Sequence, residues 1–170
     1  MTTLQLMVVT CLYVVELVAV IYFTRATSRR VVGAFAGGAA AGCFGMLAIV
    51  LGNALELWRV PVATTAIFLV LFYVGLSISL TPIYLITWRL ARRFGWHGLA
   101  VFTCLVVIIG PPRDYVFAKT FPAWMVFAPG VAPILADAAT YLGLVIIGHA
   151  VMSLSVGPSG EDRLARHSVP

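Results

Sequence analysis

Apolar runs of about twenty residues recur along this chain, and the short breaks between them carry most of its arginines. A helix needs about 20 apolar residues to cross a hydrocarbon core of about 30 Å, so few soluble folds accommodate the pattern. Five candidate spans can be read: Leu4–Thr24, Val31–Leu55, Val62–Trp88, Trp96–Gly110 and Gly130–Ser155. The expected fold is therefore all-α, a polytopic membrane bundle of about five transmembrane helices. It forms one domain over residues 1–156, with a polar cytoplasmic tail over 157–170. Only 10% of the residues are charged, against about a quarter in a soluble domain, and lipid accounts for that deficit better than a soluble core.

The breaks also set an expected orientation. Arg25, Arg29, Arg30, Arg89, Arg92, Arg93, Arg163 and Arg166 fall on one side of the five spans. Arg59, Arg113 and Lys119 fall on the other. The positive-inside rule then puts the N-terminus outside and the C-terminus in the cytoplasm of a cell inner membrane. The first segment has no positively charged leader before its apolar run, and is expected to stay in the membrane as a helix. The net charge of +5 is scattered between spans, without the basic face of a nucleic-acid binder.

The fourth span is short, and Pro111–Pro112 are expected to end it sharply. The sequence that follows, PPRDYVFAKTFPAWMVFAP over residues 111–129, is rich in aromatics that favour a membrane–water interface. It reads as an interfacial loop or short helix on the outer surface, with a protein-shielded re-entrant segment as the alternative.

Polar residues inside or beside the spans are the candidates for chemistry. Glu16 lies twelve residues into the first span, at roughly 18 Å of helical rise and near the bilayer middle. A carboxyl there is costly and ordinarily faces a bundle interior or a water-filled cavity. It reads either as a proton or cation site or as a neutral carboxyl bonded to Tyr13. Asp137, Thr140 and Tyr141 share one face of the last helix, offering a polar group either a site or a surface salt bridge to Arg59, Arg113 or Lys119. Glu56 and Asp114 join Asp137 on the outer side, where carboxylates and cations together suit a lipid headgroup or a divalent metal, or simply a solvated loop. Ser77, Thr81 and Tyr84 share a face of the third span, either as a polar groove or as interhelical bonding. His149 lies too far along the last helix to pair with Asp137.

In the second span Gly33, Gly37, Ala41 and Gly45 recur every fourth residue, with Gly38 and Gly42 beside them. Such a ladder permits close helix approach, either to neighbours in the same bundle or to a partner subunit. The three cysteines are single, and no His/Glu pair has zinc spacing, so no metal centre is expected and no cofactor is indicated. No nucleophile elbow or phosphate loop is present. The expected partners are the bilayer and either a second copy or another membrane subunit, and not nucleic acid. Three functions fit this pattern. The first is a membrane subunit or assembly protein, the second a small proton or cation transporter using Glu16, and the third an enzyme acting on lipid headgroups at the outer leaflet.

Overall fold

The computed structural model describes residues 3–61 and 66–157. The chain is all-helical apart from one two-stranded clip. It runs α1 (Thr3–Thr24), α2 (Ser28–Ala54), β1 (Trp58–Arg59), α3 (Ala66–Thr120), β2 (Val126–Phe127) and α4 (Ala132–Val156). All four helices are long and apolar enough to cross a membrane. Of the expected polar tail only Gly157 lies within the described residues; Arg163 and Arg166 do not.

The third and fourth expected segments belong to α3, which is broken at Gly95 (φ 63°, ψ −154°). That backbone conformation is essentially restricted to glycine. There the chain turns back on itself. Phe72 and Leu76 line the same cavity as Arg113 and Phe117, yet a straight helix would hold residues 72 and 117 roughly 68 Å apart. The expected stop at Pro111–Pro112 does not occur, and the second half continues helically through both prolines to Thr120. Proline's fixed φ is compatible with a helix; its cost is the lost N–H bonds, here to the carbonyls of Val107 and Ile108. Of the expected interfacial segment, residues 111–120 are thus helix. Residues 121–129 form a turn and β2, which pairs antiparallel with β1, Trp58 opposite Phe127.

The two ends of the bundle differ in chemistry. At one, Arg89 Nη1 donates to the Thr24 carbonyl at 3.1 Å, tying the α1–α2 turn to the C-terminal end of the first half of α3. Arg30, Arg89 and Arg92 gather there. At the other, the β1–β2 clip is capped by aromatics: Tyr115 stacks on Phe127 at 4.1 Å and Trp58 meets the same ring edge-on. Both α1 and α2 stop by the same device. Ala26 N–H bonds to Ile21 O and Arg25 N–H to Tyr22 O, while Leu57 N–H bonds to Gly52 O and Glu56 N–H to Asn53 O. These are paired C-terminal capping bonds around a left-handed residue, filled here by Arg25 (φ 49°) and Glu56 (φ 56°) rather than glycine.

The glycine ladder lies inside the bundle. Gly33, Gly37, Gly38, Gly42 and Gly45 are all buried. Gly38 and Gly42 abut Ser77 and Thr81 of α3, and Gly37 abuts the Gly148 backbone of α4. The Tyr84 ring fills the space beside Gly148, and its hydroxyl donates to the Leu144 carbonyl at 2.9 Å. The Ser77–Thr81–Tyr84 face is therefore occupied by α2 and α4, with Thr81 Oγ1 bonded to its own helix at Ser77 O. It forms no open groove.

Two glycine replacements separate backbone strain from crowding. A Cβ at Gly95 meets nothing within 4 Å, whereas one at Gly148 overlaps the Tyr84 ring. Gly95→Ala should cost about 1–3 kcal/mol through backbone strain alone, and Gly148→Ala a similar amount through overpacking. In thermal unfolding, Tyr84→Leu should recover the second loss and leave the first untouched. Equal recovery of both would contradict the assignment.

Candidate functional site

Because the second half of α3 continues past its prolines, it places Arg113, Asp114 and Phe117 at the clip end, where Arg113 is exposed and Asp114 half-buried. Gly110, one residue before the prolines, has no room for a side chain because the Tyr141 ring lies across it. That close approach lets α4 present the Tyr141 hydroxyl to α3. Tyr141 Oη donates to Asp114 Oδ2 at 2.7 Å. Arg113 donates through Nε and Nη2 to Asp114 Oδ1 at 3.0 and 2.9 Å. Its Nη2 also bonds to Tyr141 Oη at 2.5 Å. The three side chains close into a ring in which the carboxylate accepts from both partners, the arrangement that makes charge-assisted bonds strong.

Asp137 stands one turn before Tyr141 on α4 and is only 6% exposed. Its Oδ2 has no hydrogen-bond partner. The surface salt bridge open to it in the sequence does not form, because Arg113 pairs with Asp114 instead. The buried Tyr115 hydroxyl is likewise without a partner. Thr140, expected on the same polar face, turns its hydroxyl back to Ala136 O at 2.9 Å. Glu56 and Arg59 are exposed, as is Lys119, and among the described residues none of them joins the Arg113 ring by an ion pair. The six charges expected on the outer side thus do not converge as one cluster.

Beside the ring is a cavity of about 370 Å³ between α1, α2 and the two halves of α3. Val9, Ile49, Phe72 and Leu76 supply apolar wall, while Arg113 and Asp114 supply one charged edge. Thr10, Tyr13 and Ser79 add hydroxyls, although Ser79 Oγ is committed to the Leu76 carbonyl at 2.8 Å. Sequence reasoning set Tyr13 beside Glu16 and missed the cavity wall altogether. Gly75 and the hydroxyls of Thr10 and Tyr13 were the only signals, and none identifies its neighbour across the bundle.

Glu16 does not face the bundle interior. Its neighbour Leu17 is buried, while Glu16 itself is exposed on the outer side of α1. The physical reason is the narrow contact of α1, which packs mainly on α3 and leaves most of its circumference outward. Tyr13 points instead to the cavity, and among the described residues it makes no hydrogen bond to Glu16. At the arginine end, His149 Nδ1 lies 3.0 Å from Thr87 Oγ1. That hydroxyl also lies 3.1 Å from Tyr84 O. This is a structural tie between α3 and α4.

Among the described residues no three His, Cys, Asp or Glu side chains converge as a metal centre requires. The arrangement has the composition of a binding site: an apolar volume with a fixed carboxylate–guanidinium pair at one edge. No family model, curated protein or solved structure matches the chain.

The ring itself is testable by a double-mutant cycle on Tyr141→Phe and Asp114→Asn. Each single change should lower stability by about 1–3 kcal/mol, with a coupling of about 1–2 kcal/mol because both remove the same bond. Additive losses would mean that the two side chains do not meet.

Proposed function

We propose that the chain is a five-span inner-membrane protein, N-terminus outside, that holds a lipid-like amphiphile in the cavity beside Arg113 and Asp114. The cavity carries this reading. Its apolar wall suits acyl or isoprenoid chains, and its charged edge suits a headgroup that both accepts from a guanidinium and donates to a carboxylate. The five spans follow from counting the two halves of α3 separately, each about 25 residues or more on either side of Gly95 and so long enough to cross. The orientation rests on the arginine-rich breaks.

Binding accounts for the geometry better than turnover does. Asp114 is engaged by two partners, Asp137 does not line the cavity, and no hydroxyl there has a base beside it. The transporter reading loses its pathway, since Glu16 faces away from the closely packed Ser77–Thr81–Tyr84 face.

A second reading rests on one observation. Glu16 is exposed near the middle of an outer helix, and an acidic group facing lipid there is costly. A partner helix, from a second copy or another subunit, that offers a hydrogen-bond donor at that depth would relieve the cost. The chain would then be a membrane subunit that docks through α1. The glycine ladder lends this no support, because α3 and α4 already cover it.

Native mass spectrometry of gently extracted protein tests both. Wild type should retain one amphiphile per chain, and Ile49→Trp, which fills the cavity, should release it without lowering the unfolding temperature. Full retention by Ile49→Trp would remove the cavity from consideration. In the same preparation Glu16→Leu should strip any bound polypeptide and leave the amphiphile. A partner retained by Glu16→Leu would end the docking reading.

A further inference from the structure

A second pocket, of about 260 Å³, lies at the opposite, arginine end of the bundle. It opens between the α1–α2 turn and the C-terminal end of the first half of α3, and Thr24, Ala26, Arg30, Trp88, Arg89 and Arg92 line it. Every charged side chain on its wall is a cation. The acidic side chains among the described residues are elsewhere: Glu16 faces outward in mid-helix, and Glu56, Asp114 and Asp137 belong to the clip end.

Three further features point the same way. Trp88 is 3% exposed, yet its indole Nε1 has no hydrogen-bond partner. A buried donor left unpaired costs about 1–3 kcal/mol, which an acceptor arriving in the pocket would recover. Arg89 is already oriented, since its bond to the Thr24 carbonyl holds the guanidinium across the turn and leaves its other N–H groups for a ligand. Arg30 and Arg92 each make a further interaction within the protein, and a guanidinium has donors enough for both tasks. Finally, α2 begins beside this pocket with no side-chain cap from Thr27 and no acidic residue in its first turn. The first N–H groups of a helix and its dipole both favour an anion there.

Cations, an orphan indole N–H and an uncapped helix start are all donors, and among the described residues no carboxylate lines the wall. A ligand must therefore bring several acceptor oxygens and negative charge, as a phosphate does; planar guanidinium groups bind it in a bidentate manner. We propose that this pocket is a binding site for a phosphate group, held by Arg30, Arg89 and Arg92 together with the Trp88 indole N–H. Two sources share that chemistry. One is the headgroup of an anionic phospholipid, which basic pockets between spans on the cytoplasmic side are suited to hold; the other is free inorganic phosphate. The site is separate from the cavity at the clip end, and its existence does not depend on what that cavity binds.

The experiment uses full-length protein in nanodiscs of phosphatidylcholine, titrated either with phosphatidylglycerol in the bilayer or with inorganic phosphate in solution. The readout is the ¹⁵N–¹H resonance of the Trp88 indole, assigned by its absence in Trp88→Phe. One of the two additions should shift that resonance saturably. A response to phosphatidylglycerol alone identifies a lipid headgroup; a response to inorganic phosphate alone identifies the free ion. Arg30→Gln and Arg92→Gln should each weaken the response about tenfold or more, the loss expected for one charge-assisted bond. Arg93→Gln, at the same end but off the pocket wall, should leave it unchanged. Should either pocket variant fail to fold, Trp88→Phe keeps the ring, and its thermal stabilisation by the same addition should fall severalfold. Silence of the Trp88 resonance to both additions would overturn the proposal. So would equal weakening by Arg93→Gln, which would reduce the effect to unspecific charge.

Discussion

The contact on which the rest of the molecule depends is the approach of α2 to α4 at Gly37 and Gly148, with the Tyr84 ring beside it. Helices rich in glycine are poor formers in water, at about 1 kcal/mol per residue relative to alanine. Here the missing side chains let α3 and α4 approach α2 closely; in apolar surroundings, which offer no hydrophobic drive between helices, such packing is what holds a bundle together. With α2 seated this deeply, α3 and α4 close around it, and Tyr84 reaches the Leu144 carbonyl. The core that results is small: Leu17, Ala34, Ala41, Leu80, Tyr84, Trp88, Leu144 and Met152 are among its members. Large side chains such as Val15, Ile108, Leu135 and Leu154 face outward. That inversion of the soluble pattern is physically tolerable where the surroundings are themselves apolar.

Around this core the molecule has two chemically distinct poles. Gly95 reverses α3 and so returns Arg113 and Asp114 to the same end as Phe72. Gly110 admits Tyr141 to complete the ring. The opposite pole gathers Arg30, Arg89 and Arg92 and keeps a buried indole N–H unpaired. Each pole therefore holds polar groups whose mutual satisfaction is incomplete: Asp137 and Tyr115 at one, Trp88 at the other. In a chain with so few polar residues, orphaned buried atoms at both ends are more informative than the packing between them.

Much of the fold could be read from the sequence, because length and hydropathy are local properties. The apolar runs, the arginine breaks and the small-residue face of α2 all correspond to features of the structure. The errors arose where tertiary neighbours decide. Proline was weighed by its lost N–H, so the helix was stopped at Gly110, although proline's φ suits a helix and the segment continues to Thr120. Depth alone points Glu16 to an interior, yet the face it occupies depends on how much of α1 is covered, and α1 is covered narrowly. Asp114 and Tyr141 each stand out as polar residues of the sequence, but 27 residues separate them, and nothing in either stretch names the other. The pocket at the arginine end escaped notice because its arginines were read only as orientation signals.

The reversal at Gly95 is the claim from which the cavity, the Arg113 ring and the proposed count of five spans all follow. The most direct test is a double electron–electron resonance distance between spin labels at residues 72 and 117, in full-length protein reconstituted in a bilayer with its three cysteines replaced by serine. A reversed α3 places the two labels about one to two helix diameters apart, roughly 10–20 Å. A distribution centred near roughly 68 Å, the rise of 45 residues in one continuous helix, would contradict the account and dissolve the cavity with it.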